Sequence, residues 1–308
     1  GERAPVITMM LADAVAKIKD GKFKDFTLNS EERYELYLAS WLHDCGKVAT
    51  PPHVVDKGTK LETIFDRIEL IRTRMELLKK DEEIAFLKRQ LNGRSNMPFD
   101  EIYKEAVQEI ESNMKFLEEC NIGGEFMNPE LQDRVRSIGE KKTNLFDREQ
   151  TFLTEEEIQN LTIPKGTLLP EEREIINDHI VITIEMLEQL PYPKNLRNVP
   201  EFAGGHHEKM DGTGYPKGLN KSQMSTQARI MAIADIYEAL TAADRPYKEG
   251  KKLSQAMRIM GFMKNDYHID EDLFEIFVTS GVYKQYAVDH VAEIQIDEVN
   301  ETSVLGKE

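Results

Sequence analysis

The sequence predicts an all-α chain. Apolar side chains recur at three- and four-residue spacings along most of its length, whereas strand-like alternation shows only weakly, at Ile294 and Ile296. Neither an internal repeat nor a low-complexity tract interrupts that pattern.

In chain order, residues 4–19 form the first amphipathic helix and residues 31–43 the second, which carries Tyr34, Leu38, Trp41 and Leu42 behind candidate N-caps Asn29 and Ser30. Ile64, Ile68, Ile71, Met75 and Leu78 follow at the 4, 3, 4, 3 spacing of a two-helix seam. Asn92, Gly93, Ser95, Asn96 and Pro98 break it, and Ile102, Ala106, Ile110, Met114 and Leu117 resume it. Residues 60–120 therefore read as a charged antiparallel hairpin: in the simplest reading a solvated pair packing on its own seam, in the alternative a dimerising or site-covering element. Gly123, Gly124 and Pro129 open a less regular stretch that runs to Pro164 and Pro170. Helical spacing returns at Ile175, His179, Ile182 and Met186, and further helices are expected at 225–243, 252–263 and 271–280, with a charged tail after about 290.

Forty Lys+Arg against 56 Asp+Glu leave a net charge of −16 in 308 residues, 40% of them hydrophobic. That composition fits one large or two small globular domains. Its field repels duplex nucleic acid and anionic membranes, so a phosphate ligand needs local cations or metal. No run reaches the roughly 18 apolar residues of a membrane span, and residues 1–20 do not read as a signal peptide. Cys45 and Cys120 make neither a disulfide framework nor a CxxC pair, which suits a reducing cytoplasm.

Chemistry concentrates in a few places. His43-Asp44-Cys45-Gly46-Lys47 sets an imidazole beside a carboxylate at a helix end, a common dipeptide when it stands alone. Gly204-Gly205-His206-His207-Glu208-Lys209-Met210-Asp211-Gly212-Thr213-Gly214-Tyr215-Pro216 adds two consecutive histidines on a glycine-rich turn, for which a purely structural reason is hard to supply. Asp235 stands among residues that are otherwise core, and a buried carboxylate must be paired, neutralised or metal-bound. His179, alone on a helix, reads more simply as a satisfied core histidine. His53 reads as a loop residue near the pocket, His268 and His290 as surface residues, Lys79-Lys80-Asp81-Glu82-Glu83 as a solvated face, and Met257, Met260 and Met263 as core.

Taken together, HDxGK, the helical His179, HHExxDGxGYP and a helical Asp235 followed by Asp244-Arg245-Pro246-Tyr247-Lys248 resemble the HD-GYP family, a branch of the HD superfamily of metal-dependent phosphohydrolases. The likeness covers residues 1 to about 60 and about 170 to 280. It implies an HD-type helical domain over 1–60 and 165–290, a helical insertion over 61–164 and a tail over 291–308. It further implies that His43, Asp44 and Asp235 bind one metal while Asp44 as a bridge, His179, His206 and His207 bind its neighbour. Lys47 matches the family's phosphate-contacting lysine, and Asp44 and Lys47 are the catalytic pair. Asp211, Gly214, Tyr215, Pro216, Arg245 and Lys248, with Lys47, match substrate-contacting positions. Two or three divalent ions are implied; the mixed N and O donors suit iron or manganese, with nickel, cobalt or zinc as alternatives. The implied activity is hydrolysis of cyclic di-GMP to linear pGpG and onward to GMP. The alternatives are hydrolysis of 3′,3′-cyclic GMP-AMP and a receptor or adaptor that binds a cyclic dinucleotide without hydrolysing it. A homodimer, an upstream sensor region and a cytoplasmic site, free or beneath an inner-membrane receptor, complete the expectation.

Four departures accompany the likeness. Asp44 and His179 are 135 residues apart, hence the insertion; Thr183 stands where the family has glycine; and Ala242 and Ala243 occupy what is usually one position. The fourth is a first-helix histidine ligand, which falls just before Gly1, as though the chain were excised from a longer protein. Glu31, Glu32 and Glu35 read as solvated helix positions, with Glu35 the nearest acidic substitute.

Overall fold

A computed structural model describes residues 3–91, 99–124, 126–145, 148–242 and 250–307. The breakers Asn92 to Pro98, and Arg245 and Lys248, lie outside the described residues. In chain order the elements are α1 (Arg3–Ala16), α2 (Ser30–Leu42), α3 (Pro52–Val55), α4 (Ile68–Leu91), α5 (Phe99–Ile122), α6 (Pro129–Gly139), β1 (Lys142–Leu145), β2 (Arg148–Thr151), α7 (Glu155–Leu161), α8 (Pro170–Asn177), α9 (His179–Glu188), α10 (Val199–Gly204), α11 (Thr226–Thr241), α12 (Leu253–Asn265), α13 (Glu271–Thr279), α14 (Val282–His290) and α15 (Glu301–Leu305). The fold is all-α, its β1–β2 ladder a single antiparallel pair that sets Lys142 against Thr151. Among the described residues no helix is long and apolar enough to cross a membrane. Two compact units result, residues 1–50 with 176–308, and residues 51–175.

The first unit is built around α11. Ile230, Met231, Ile233, Ala234 and Tyr237 are all buried there, and α1 lays Ile7, Leu11 and Val15 into the same core. A helix apolar on every side is a central one. Each Ile, Leu, Val or Met among them adds about 1.5–3 kcal/mol on burial. At α2, Asn29 is the N-cap, accepting from Glu31 N and Glu32 N while Glu32 returns to Asn29 N. Residues 291–308, expected as a charged tail, are partly buried. Val299 joins the core, and Gln295 is buried with Nε2 donating to Thr241 O at 3.0 Å and Lys251 O at 2.9 Å. The apolar residues are spaced too widely there for periodicity to reveal them. Where alternation hinted at a strand, a 3-10 turn runs Glu293–Gln295.

In the second unit α4 and α5 pack together through Ile68, Ile71, Met75, Phe116 and Leu117, and Arg72–Glu118 and Lys79–Glu111 cross between them at 2.5 and 3.1 Å. Ile64 leaves the expected seam and is 97% exposed; Asp66 Oδ1 accepts from Ile68 N, so the helix starts after it. The stretch read as irregular holds α6 behind an Asn128 cap with Pro129 at its first position, a β-hairpin, and α7 behind a Thr154–Glu157 capping box. Those short elements were signalled by caps rather than by periodicity.

Candidate metal centre

Four elements of the first unit converge on one cluster. His43 ends α2 as its C-cap, and Asp44 opens the 3-10 turn Cys45–Ala49 that follows. His179 begins α9, His206 and His207 follow α10, and Asp235 projects from the middle of α11. The ligand atoms of Asp44, His179, His206 and His207 lie within 4.8 Å of one another, as do those of His43, Asp44 and Asp235, so Asp44 belongs to both groups.

The imidazoles are aimed by the backbone. Nδ1 of His43 donates to Ser40 O at 2.7 Å and Nδ1 of His206 to Ala203 O at 2.6 Å; His179 Nδ1 meets Ile176 O in the same i−3 arrangement. A proton on Nδ1 leaves Nε2 as the inward-facing lone pair, the orientation that metal-binding histidines use. His207 is held instead by the ring of Tyr215, stacked at 4.9 Å with 14° between planes.

The donor set fits divalent cations. Asp44 Oδ1 and the Nε2 atoms of His179, His206 and His207 are buried side-chain atoms without a hydrogen-bond partner, an arrangement that is costly unless a cation completes it. His179 Nε2 and Asp44 Oδ1 approach to 3.2 Å. Burial, with the charge of His43 adding to it, holds His206 down to about 4. Burial and then His206 hold His207 at about 2. Both rings are therefore neutral at pH 7, as ligands must be. Burial works against charge on Asp235, but the His43 hydrogen bond and the charges of His206 and His43 together outweigh it and set the carboxyl at about 2. Asp44 is likewise pushed below the usual carboxylate range: burial opposes, and His179, His43 and Lys47 prevail. Burial also disfavours a proton on His43, but the Asp235 hydrogen bond at 3.3 Å and the charges of Asp235 and Asp44 raise it overall.

At the rim, Lys47 Nζ donates to Asp44 Oδ2 at 2.5 Å with its side chain 43% exposed. The loop after His207 is organised by Glu208, which sequence reasoning passed over although it sits inside the motif. Its carboxylate is buried and accepts from Lys217 N at 2.7 Å and Leu219 N at 2.8 Å. Asp211 folds back onto Thr213 N and Oγ1, Gly212 takes φ +82°, and a Cβ on Gly214 would lie 2.3 Å from Lys209 N. Tyr215 N donates to His207 O, and the Tyr215–Pro216 peptide is cis.

Several expected positions differ. Glu35 is buried and already accepts from Asn198 N at 2.7 Å and Asn198 Nδ2 at 3.2 Å, so it joins α2 to the start of α10 and is neither solvated nor available as a ligand. His53 is exposed in α3, while His268 is half-buried and the His290 ring lies 4.6 Å from that of Tyr286, tilted by 30°.

Residues 154–273 match the HD domain family. That span contains His179, His206, His207 and Asp235, and the fold adds His43 and Asp44 from outside it. The chain is 40% identical over 95 residues to a 3′,3′-cGAMP-specific phosphodiesterase of Vibrio cholerae, covering 31% of this chain and 21% of that protein. It is 46% identical over 79 residues to a cyclic di-GMP phosphodiesterase of Pseudomonas aeruginosa, covering 25% and 18%. A cyclic di-GMP phosphodiesterase of Thermotoga maritima is 38% identical over 98 residues, covering 32% and 26%. The chain thus spans about a quarter or less of the length of these relatives. With the HHExxDGxGYP loop folded against the His/Asp cluster, residues 154–273 are similar to the HD domain family and the chain shares stretches of sequence with these cyclic-dinucleotide phosphodiesterases.

Proposed function

We propose that the first unit is a metal-dependent phosphodiesterase that opens a cyclic dinucleotide, with cyclic di-GMP the leading substrate. The single observation that carries this reading is the group of four unpartnered donor atoms, from Asp44, His179, His206 and His207, beside a lysine. His43, Asp44 and Asp235 would hold one cation and Asp44, His179, His206 and His207 a second, with iron or manganese suited to this donor set. Such a pair polarises a phosphodiester oxygen and lowers the pKa of the attacking water.

The chain's own residues do the rest. The three backbone carbonyls and the Tyr215 ring fix the imidazoles before substrate arrives, so little reorganisation is needed. Lys47 places a mobile positive charge at the rim, where the phosphoryl oxygens gain negative charge. Glu208 holds the loop that carries Gly214, Tyr215 and Pro216 against the cluster, which supports a role for that loop in shaping the substrate site. Arg245 and Lys248 belong to the proposal by motif, as does Asp211. A homodimer, an upstream sensor region and a cytoplasmic location are further parts of it that rest on family likeness.

A second substrate, 3′,3′-cyclic GMP-AMP, is supported by the likeness to phosphodiesterases named for it. Incubation of the Mn²⁺- or Fe²⁺-loaded protein with each dinucleotide, with linear products resolved by chromatography, tests the reading and ranks the two. Asp44→Ala should lose both metal and product. Dinucleotide binding without any linear product would make the protein a receptor instead.

A further inference from the structure

Asp44 is the N-cap residue of the turn Cys45–Ala49, yet its carboxylate caps none of the backbone N–H groups of that turn. An aspartate in this position ordinarily folds back onto the N–H two or three residues ahead. Here that N–H is claimed from another helix: Gly46 N donates to Thr183 Oγ1 at 2.9 Å. Thr183 is fully buried on α9, one turn beyond His179. The two backbones touch, since a Cβ on Gly46 would fall 2.0 Å from His179 O and 2.6 Å from Thr183 N.

We propose that Thr183 is a positioning residue that caps the Asp44 turn from α9 and thereby leaves the Asp44 carboxylate free to face His43 and His179. The inference rests on the metal reading above and deepens it. A buried N–H needs an acceptor. Without the Thr183 hydroxyl, the acceptor that the chain geometry offers is Asp44 itself, whose Oδ1 is otherwise unpartnered. Drawn back onto Gly46, that carboxylate would leave His179, from which it now stands 3.2 Å away, and neither cation group would keep its shared member. Thr183 is fully buried, so its hydroxyl serves that N–H away from bulk water.

This logic ranks substitutions in an order that packing does not. Thr183→Val keeps shape and methyl but offers no acceptor and admits no water, so it should be the worst. Thr183→Ala opens a space for water and should be milder, and Thr183→Ser should restore the wild-type behaviour. The readout is Mn²⁺ affinity of the metal-stripped full chain, followed by electron paramagnetic resonance of free Mn²⁺, beside the thermal unfolding midpoint. A hydrogen bond that controls one ligand is worth about tenfold in affinity. Thr183→Val should bind about tenfold more weakly, Thr183→Ser within about twofold of wild type, and Thr183→Ala between them. Wild-type affinity in Thr183→Val, or weaker binding by Thr183→Ala than by Thr183→Val, overturns the proposal. If Thr183→Val does not fold, the Ser and Ala variants decide, and equal binding by those two overturns it. Failure of the wild-type chain to take up Mn²⁺ defeats the metal reading and this inference together, whereas uptake without any difference among the variants defeats only the role of Thr183.

Discussion

Tyr215 lies almost flat on His207, the ring centroids 4.9 Å apart and the planes 14° from parallel. The other three histidines are aimed by ring N–H bonds to carbonyls, so this stack does for His207 what a hydrogen bond does for them. An aromatic pair contributes about 0.5–1.5 kcal/mol beyond its buried area. Tyr215→Ala should therefore weaken Mn²⁺ binding up to about tenfold, while Tyr215→Phe, which keeps the stack, should not. Metal titration of the two variants separates the ring from the hydroxyl; equal losses in both would assign the effect to the hydroxyl.

Lys47 should matter for turnover more than for metal. Its side chain is part-exposed and bonds Asp44 at the rim, so its removal leaves the donor cluster in place. Loss of one electrostatic donor costs about 10²-fold or more in rate. Lys47→Ala should show that fall in kcat with cyclic di-GMP at unchanged metal content, measured by elemental analysis of the same samples. Loss of metal in step with activity would place Lys47 in the scaffold.

Glu208 should carry stability. Both of its oxygens accept backbone N–H groups in a buried setting. Glu208→Gln puts an amide where one acceptor must be, at a cost of about 1.5–3 kcal/mol for a charge-assisted bond. Urea unfolding should show that loss as a lower midpoint with an unchanged slope.

Metal-stripped protein should be most stable near the ordinary histidine pKa of about 6.5. His206, held at about 4 by burial, binds fewer protons when folded, so its contribution is present above 6.5 and lost as pH falls towards 4. His43 is shifted upwards against burial by Asp235, so its contribution is present below 6.5 and lost as pH rises through its folded value. Urea midpoints taken with chelator across pH 4–8 check this, and His206→Asn should make the acid side less steep, with His207, held at about 2, supplying what remains. A profile already flat between about 4 and 6.5 in the wild-type chain would contradict the assignment.

The all-α class was legible because long apolar-rich stretches become helices, α11 burying nearly all round, although in α2 the spaced Tyr34 and Trp41 are exposed and Leu36 and Ala39 are buried instead. The short elements were not, since α6 and α7 are defined by caps at Asn128 and Thr154 more than by spacing. Within the site, His43-Asp44 and His206-His207 announce themselves as dipeptides, and motif likeness pointed to their meeting with His179 and Asp235. Thr183 carried no such mark, because its partner Gly46 is 137 residues away and the hydroxyl acts on a backbone N–H. Glu35 misled for the same reason: its engagement with Asn198 N is 163 residues distant.

The contact between Gly46 and the backbone of His179 and Thr183 also fixes a topology. It pinches the chain at a neck, so that for the first unit everything in residues 51–175 is a closed excursion between two points that already touch. Closing such an excursion becomes harder only logarithmically, by about 0.6 kcal/mol for each doubling of its length. An excursion could be lengthened, shortened or exchanged at this point with little thermodynamic penalty, while a single methyl added at Gly46 itself would pry the two segments of the neck apart.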